Sequence, residues 1–234
     1  MTIPAIRSQL ALLADAQRAA IQMRFFKTGP GEYGEGDRFM GVRVPELRRL
    51  SRLYRDLDTD SVKKLLRSAI HEERHLALFI LVLQFKVGDT RQRRKIYDLY
   101  LANLAFINNW DLVDCSAEHI VGGWLEGRKK TRLVTLVRST DLWHRRVAML
   151  ATFHYIKKGH FADALHLAEQ LLADPHDLIH KAVGWMLREI GKRDLATEGA
   201  FLQTHYPRMP RTMLRYAIEK FPEARRQAYL KGAI

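Results

Sequence analysis

Apolar residues recur at intervals of three and four along most of the chain, as in Val62, Leu65, Leu66 and Ala69. This spacing puts them on one face of an α-helix. No segment alternates apolar and polar residues as a half-buried strand would. Val44-Pro45-Glu46 reads as a helix start with proline in the first turn. Asp60-Ser61 and Asp174-Pro175 read as further helix starts or inter-helix turns. Gly88-Asp89, Gly127, Gly159, Gly191 and Pro207 punctuate the rest. One long stretch is irregular, KTGPGEYGEGDRFMGVRVPELRRL, which holds Gly29, Gly31, Gly34, Gly36 and Gly41 and predicts a glycine-rich loop over about 28–41. The expected class is all-α.

The helical pattern repeats. NWDLVDCSAEHI, HRRVAMLATFHY, IHKAVGWMLREI and RTMLRYAIEKF can each be laid on ERHLALFILV, which aligns Ala77, Val113, Ala148, Ala182 and Leu214 at steps of 36, 35, 34 and 32 residues. Such a period is that of stacked helical hairpins, slightly short of the usual HEAT repeat. Alanine at three of the aligned positions lets packed helices approach closely. The prediction is a superhelical solenoid of HEAT-like antiparallel helix pairs, a single domain over residues 1–234, with a concave face built from the second helix of each pair.

Composition adds a partner class. With 39 Lys+Arg against 26 Asp+Glu in 234 residues, the formal charge is +13. An excess of this size points to a polyanion, and nucleic acid comes first because neutralised phosphates release condensed counterions. The longest apolar stretch, Leu76 to Phe85, is about half a bilayer span, and the N-terminus lacks the order of a secretory signal. A cytoplasmic protein is expected, associated with the bacterial-type nucleoid through DNA and monomeric by default. Cys115 is the single cysteine, so neither an internal disulfide nor a cysteine-based zinc site is available. No metal-binding pattern is read among the ten histidines, which include His71, His75, His176 and His180. The loop glycines precede no strand, which argues against nucleotide binding. No Gly-x-Ser-x-Gly elbow points to a serine hydrolase.

Within the repeats, the apolar pattern breaks at particular places. Trp110 and Asp114 are four apart and share a helix face. Arg145 and Arg146 fall in the next repeat and Trp185 in the one after. Taken singly, a tryptophan in a helical repeat is more often core, a lone aspartate more often a cap, and paired arginines more often a wet face. Only their combination on one surface makes a site.

FFKTGPGEYGEGDRFMGVRVPELRRL, NNWDLVDCSAEHIVGGWL, HRRVAMLATFHYIKKG and KAVGWMLREIGKRD, in this order, resemble the AlkD-type DNA alkylation-repair glycosylases. The resemblance runs from about Ile21 to about Asp194. It implies a HEAT-like solenoid that holds duplex DNA, excises cationic N3- or N7-alkylated purines such as 3-methyladenine and 7-methylguanine, and uses no cofactor or metal. It places the catalytic aspartate at Asp114, the two catalytic tryptophans at Trp110 and Trp185, and the phosphate-contacting arginine at Arg146. Arg145, His154, Lys157 and Lys158 are further candidate DNA contacts, with His154 standing where the family pattern has a lysine. The alternatives are a non-catalytic relative that binds structured or branched DNA, and a protein-interaction scaffold.

Overall fold

The computed structural model describes residues 2–234 and is helical throughout. Among the described residues the only β-pairing is one isolated bridge between Arg38 and Ile70. The chain divides into two compact units, Met1–Ile120 and Val121–Ile234.

The first unit contains α1 (Ile3–Leu12), α2 (Ala16–Phe25), α3 (Val44–Leu53), α4 (Thr59–Leu66), α5 (His71–Val87), α6 (Thr90–Leu101) and the single-turn α7 (Trp110–Asp114). Its aspartates set the boundaries. Asp15, Asp58 and Asp89 cap α2, α4 and α6, each accepting a first-turn backbone N–H, an arrangement that satisfies one of the donors a helix start leaves open. The start read at Asp60-Ser61 thus falls two residues earlier, with Asp58 as the cap. Pro45 occupies the first turn of α3 as its sequence predicts. Helix α5 is apolar on nearly every face and is packed by α3, α4, α6 and α7. Leu76, Leu78, Ile80 and Leu81 are fully buried there, and each contributes about 1.5–3 kcal/mol of transfer free energy.

The second unit contains α8 (Gly123–Leu125), α9 (Thr131–Val137), α10 (Leu142–Ala151), α11 (Phe153–Ile156), α12 (Ala162–Gln170), α13 (Asp177–Gly191), α14 (Leu195–His205), α15 (Arg211–Ala217) and α16 (Glu223–Lys231). Here the hairpin pattern is plain. Helices α9, α12 and α14 pack on α10 and α13, and the second helices α10, α13 and α15 lie side by side. Gly184 sits where α13 meets α15, and a Cβ there would come within 2.4 Å of the Met213 carbonyl. The five aligned repeat positions, Ala77, Val113, Ala148, Ala182 and Leu214, are all buried, so the period read from the sequence is the period of the core. Two of the second helices are interrupted. After α7 the chain passes into a π-helix at Glu118–Gly122, and α10 gives way to α11 at Thr152, whose hydroxyl bonds the Met149 carbonyl.

The glycine-rich loop lies in the first unit. Gly29-Pro30-Gly31-Glu32-Tyr33-Gly34 has the spacing of a dinucleotide fingerprint, but a helix precedes it and not a strand. The Glu32 and Glu35 carboxylates already accept from the Gly29 and Gly31 N–H groups, so acidic groups stand where a phosphate would have to sit. The loop is pinned from below by Glu72, a buried carboxylate that accepts the backbone N–H groups of Met40, Gly41 and Val42 at 2.7–3.2 Å.

Candidate functional site

Helix α7 carries Trp110 and Asp114, both partly exposed. Five residues do not make a stable helix unaided, so its placement must come from tertiary contacts. Two clamps supply it. The first is aromatic: Trp110 stacks on Phe26 (5.0 Å, 21°), Phe26 on Phe39 (5.0 Å, 15°) and Phe39 on the His71 ring (4.3 Å, 22°). Phe25 meets the Trp110 indole edge-on at 5.8 Å and is itself 63% exposed. The loop places Phe26 and Phe39 together by folding back on itself between them.

The second clamp is ionic. His71 Nε2 lies 2.8 Å from Asp111 Oδ2, and its Nδ1 lies 3.0 Å from Asp37 Oδ2. Arg74 donates to Asp37 at 2.6 Å and to Asn108 at 3.2 Å. Burial by itself would drive the proton off His71, but Asp111 and then Asp37 outweigh it and raise the imidazolium pKa to about 9. Burial also opposes the charge on Asp111, which His71 nevertheless holds below the usual carboxylate range. For His75, one turn along α5, burial outweighs the attraction of Asp111, and the charges of His71 and Arg48 add to it, so the pKa falls to about 4. Asn109, fully buried, caps α7 by accepting the Trp110 N–H at 2.9 Å. In NNWD, therefore, Asn109 and Asp111 hold the backbone and Asn108 joins the Asp37–Arg74 pair, while Trp110 keeps surface to offer.

The second unit presents Trp185, on α13, also partly exposed. Its Nε1 donates to Glu189 at 3.3 Å, and Phe153 lies against it at 5.7 Å. Glu189 is held ionised by Lys192 and Arg193, against the opposing effect of burial. Neither Trp110 nor Trp185 is sealed in the interior.

The basic candidates fare unequally. Arg145 makes two bonds to Asp174 (2.5 and 3.3 Å) and two more to the Ser139 and Thr140 carbonyls. Its guanidinium is engaged in fixing the turn before α13. Arg146 is only 4% exposed and donates to the Leu178 carbonyl at 2.5 Å. A phosphate can therefore reach no more than an edge of it. His154 and Lys158 both bind Glu126, whose pKa these partners depress to about 2. Lys157 is exposed, with its ammonium 4.2 Å over the Phe153 ring.

The reading of the histidines also needs correction. His71-Glu72-Glu73-Arg74-His75 has the form His-Glu-x-x-His, and donor atoms of His71, His75 and Asp111 lie within 4.8 Å of one another. Asp111 is forty residues from His71, and no spacing along the chain announces that meeting. Phe25, Phe26 and Phe39 were likewise missed. The one available signal was the aromatic pair immediately ahead of the glycine-rich loop.

A family model described as DNA alkylation repair enzyme matches residues 6–221. The chain belongs to this DNA alkylation repair enzyme family. Among solved structures it is similar to a predicted DNA alkylation repair enzyme from Enterococcus faecalis, with a TM-score of 0.68 and 15% identity over 90% of this chain and 97% of that one. It is also similar to AlkD2 from Streptococcus mutans, with a TM-score of 0.54 and 18% identity over 88% and 97%, and to smu.31 from Streptococcus mutans UA159, with 0.54 and 17% over 88% and 98%. These likenesses establish the AlkD-like helical-repeat fold. No curated protein sequence matches the chain significantly. No helix among the described residues is long and apolar enough to cross a membrane.

Proposed function

We propose that the protein is a monofunctional DNA glycosylase that hydrolyses the N-glycosidic bond of cationic N3- or N7-alkylated purines in duplex DNA, leaving an abasic site. The observation that carries the proposal is α7: an indole and a carboxylate four residues apart, both reachable from solvent, on a one-turn helix clamped by the Trp110–Phe26–Phe39–His71 stack and the His71–Asp111 ion pair.

Alkylation at N3 or N7 puts a positive charge on the purine and makes it a good leaving group, so little acid assistance is needed. Cleavage builds oxocarbenium character on the sugar, the charge that carboxylates stabilise in glycoside hydrolysis. Asp114 supplies that carboxylate and orients the attacking water, in the way fixed charges act in a partly dry site. The face of Trp110 attracts the cationic nucleotide by about 0.5–2 kcal/mol, and Trp185 gives the second unit an indole face of the same kind to offer DNA. Arg146 contributes one charge-assisted contact to phosphate, and Lys157 and Lys158 add exposed positive charge. The reaction so written needs no cofactor. The molecule acts as a monomer.

The test is incubation with methylated duplex DNA and chromatography of freed bases. Asp114→Asn is expected to keep DNA binding while base release falls by about 100-fold or more. Release at the wild-type rate would remove Asp114 from the mechanism. Absence of release by the wild-type protein, with a gel shift on junction DNA, would favour the binding-only alternative.

A further inference from the structure

We propose that His71, His75 and Asp111 form a binding site for one zinc-class divalent cation, a structural site that locks α7 against α5. The inference rests on the geometry of the first unit alone and is independent of the glycosylase reading.

His71 and His75 are four residues apart on α5 and so project from one face of it. Asp111 Oδ2 reaches them from α7, 2.8 Å from His71 Nε2 and 3.4 Å from His75 Nδ1. Donor atoms bound at 2.0–2.2 Å to a tetrahedral zinc stand roughly 3.3 Å apart, so the two separations from Asp111 bracket what a cation would impose, and the three donors all lie within 4.8 Å of one another. The supporting residues are those a histidine ligand requires. A ligating imidazole typically donates its other N–H to a carboxylate, which fixes ring orientation, and His71 Nδ1 does so to Asp37. Asp37 is in turn held by Arg74 and Asn108. His75 is the least satisfied member. It is almost fully buried, its Nε2 has no hydrogen-bond partner, and its Nδ1 faces the Asp111 carboxylate at a distance too long for a good hydrogen bond.

Asp37 and Asp111 bring two negative charges to the site, against the positive charges of Arg74 and of Arg48, which acts on His75. On binding, the cation takes the place of the proton shared by His71 and Asp111, and that proton leaves to solvent. Glu72, which would be the general base of a zinc protease, is occupied by three backbone N–H groups. The site is accordingly structural and not hydrolytic.

The experiment uses the full chain after dialysis against a chelator. Zn²⁺ is titrated in with calorimetric detection, and Co²⁺ serves as a visible-absorption probe. The expected result is one equivalent of Zn²⁺ per chain, a rise in melting temperature, and the absorption bands of tetrahedral Co²⁺ with nitrogen and oxygen ligands. His75→Leu removes a donor that makes no hydrogen bond through Nε2, and it should fold but lose binding. Asp37→Asn should weaken binding by about 10–100-fold. Should His75→Leu fail to fold, imidazole nitrogen spectra of the wild-type chain decide, since Zn²⁺ must shift His71 and His75 and leave the other eight histidines unmoved. No saturable binding, binding that survives His75→Leu, or shifts confined to other histidines would overturn the proposal.

Discussion

Asp37 receives both the His71 imidazolium and the Arg74 guanidinium, and all three side chains are buried. A buried pair is weak evidence of net stabilisation, but removing one partner strands the other charge in a medium that cannot solvate it. Asp37→Ala is therefore expected to destabilise the first unit by about 3–5 kcal/mol, measured by chemical denaturation. Because His71 also holds Asp111, the same change should loosen α7. Trp110 fluorescence, distinguished by a Trp110→Phe control, would report it. A loss below 1 kcal/mol would mean that the network contributes little. None of this was legible in the sequence. His71 and Asp37 are thirty-four residues apart, and a histidine, an arginine and an aspartate in such a composition read singly as solvated groups.

Elements are set by their ends. The glycine-rich loop ends at Gly41, where φ is +82° and a Cβ would meet the Asp15 carbonyl at 2.1 Å. Gly31 has a similar φ of +75° but open space around it. Gly31→Ala should thus cost only the conformational term, about 1–2 kcal/mol. Gly41→Ala should cost clearly more, since the backbone of α2 must also move. Equal losses from the two would show that the close approach is unimportant. At the other end of the chain, Glu198 of α14 is buried with one carboxylate oxygen unpaired. Burial raises its pKa to about 8, against the smaller opposing effects of Arg225 and Arg188. The folded state consequently holds a proton that the unfolded state releases near 4.5. Stability should fall by up to about 1.4 kcal/mol per unit as pH rises from about 4.5 to 8. Glu198→Gln should flatten that slope and raise the melting temperature at pH 8, and a variant that leaves the profile unchanged would refute the assignment. The element boundaries were largely readable, because Asp at helix starts and Gly at helix ends act locally. The brevity of α7 was not, because Ser116 returns its hydroxyl to Leu112 and pairs with buried Tyr100 sixteen residues earlier.

For the whole molecule the relevant quantity is the +13 charge. If duplex DNA is the partner, the logarithm of the binding constant should fall linearly with the logarithm of salt concentration, by about 0.9 per phosphate neutralised. Arg145, Lys158 and His154 already have acidic partners, so Arg145→Ala should hardly alter that slope. A salt-independent affinity would refute the electrostatic reading. The sequence by itself determined the all-helical class, the 32-to-36-residue period and the phase that buries Ala77, Val113, Ala148, Ala182 and Leu214, since these follow from local propensity and from a pattern repeated along the chain. Only the tertiary structure decided which charges remain for a partner, that Trp110 ends a stack of four rings, and that His71, His75 and Asp111 meet. Those outcomes depend on side chains from separate helices competing for the same few ångströms, and the order of residues along a chain does not encode distance in space.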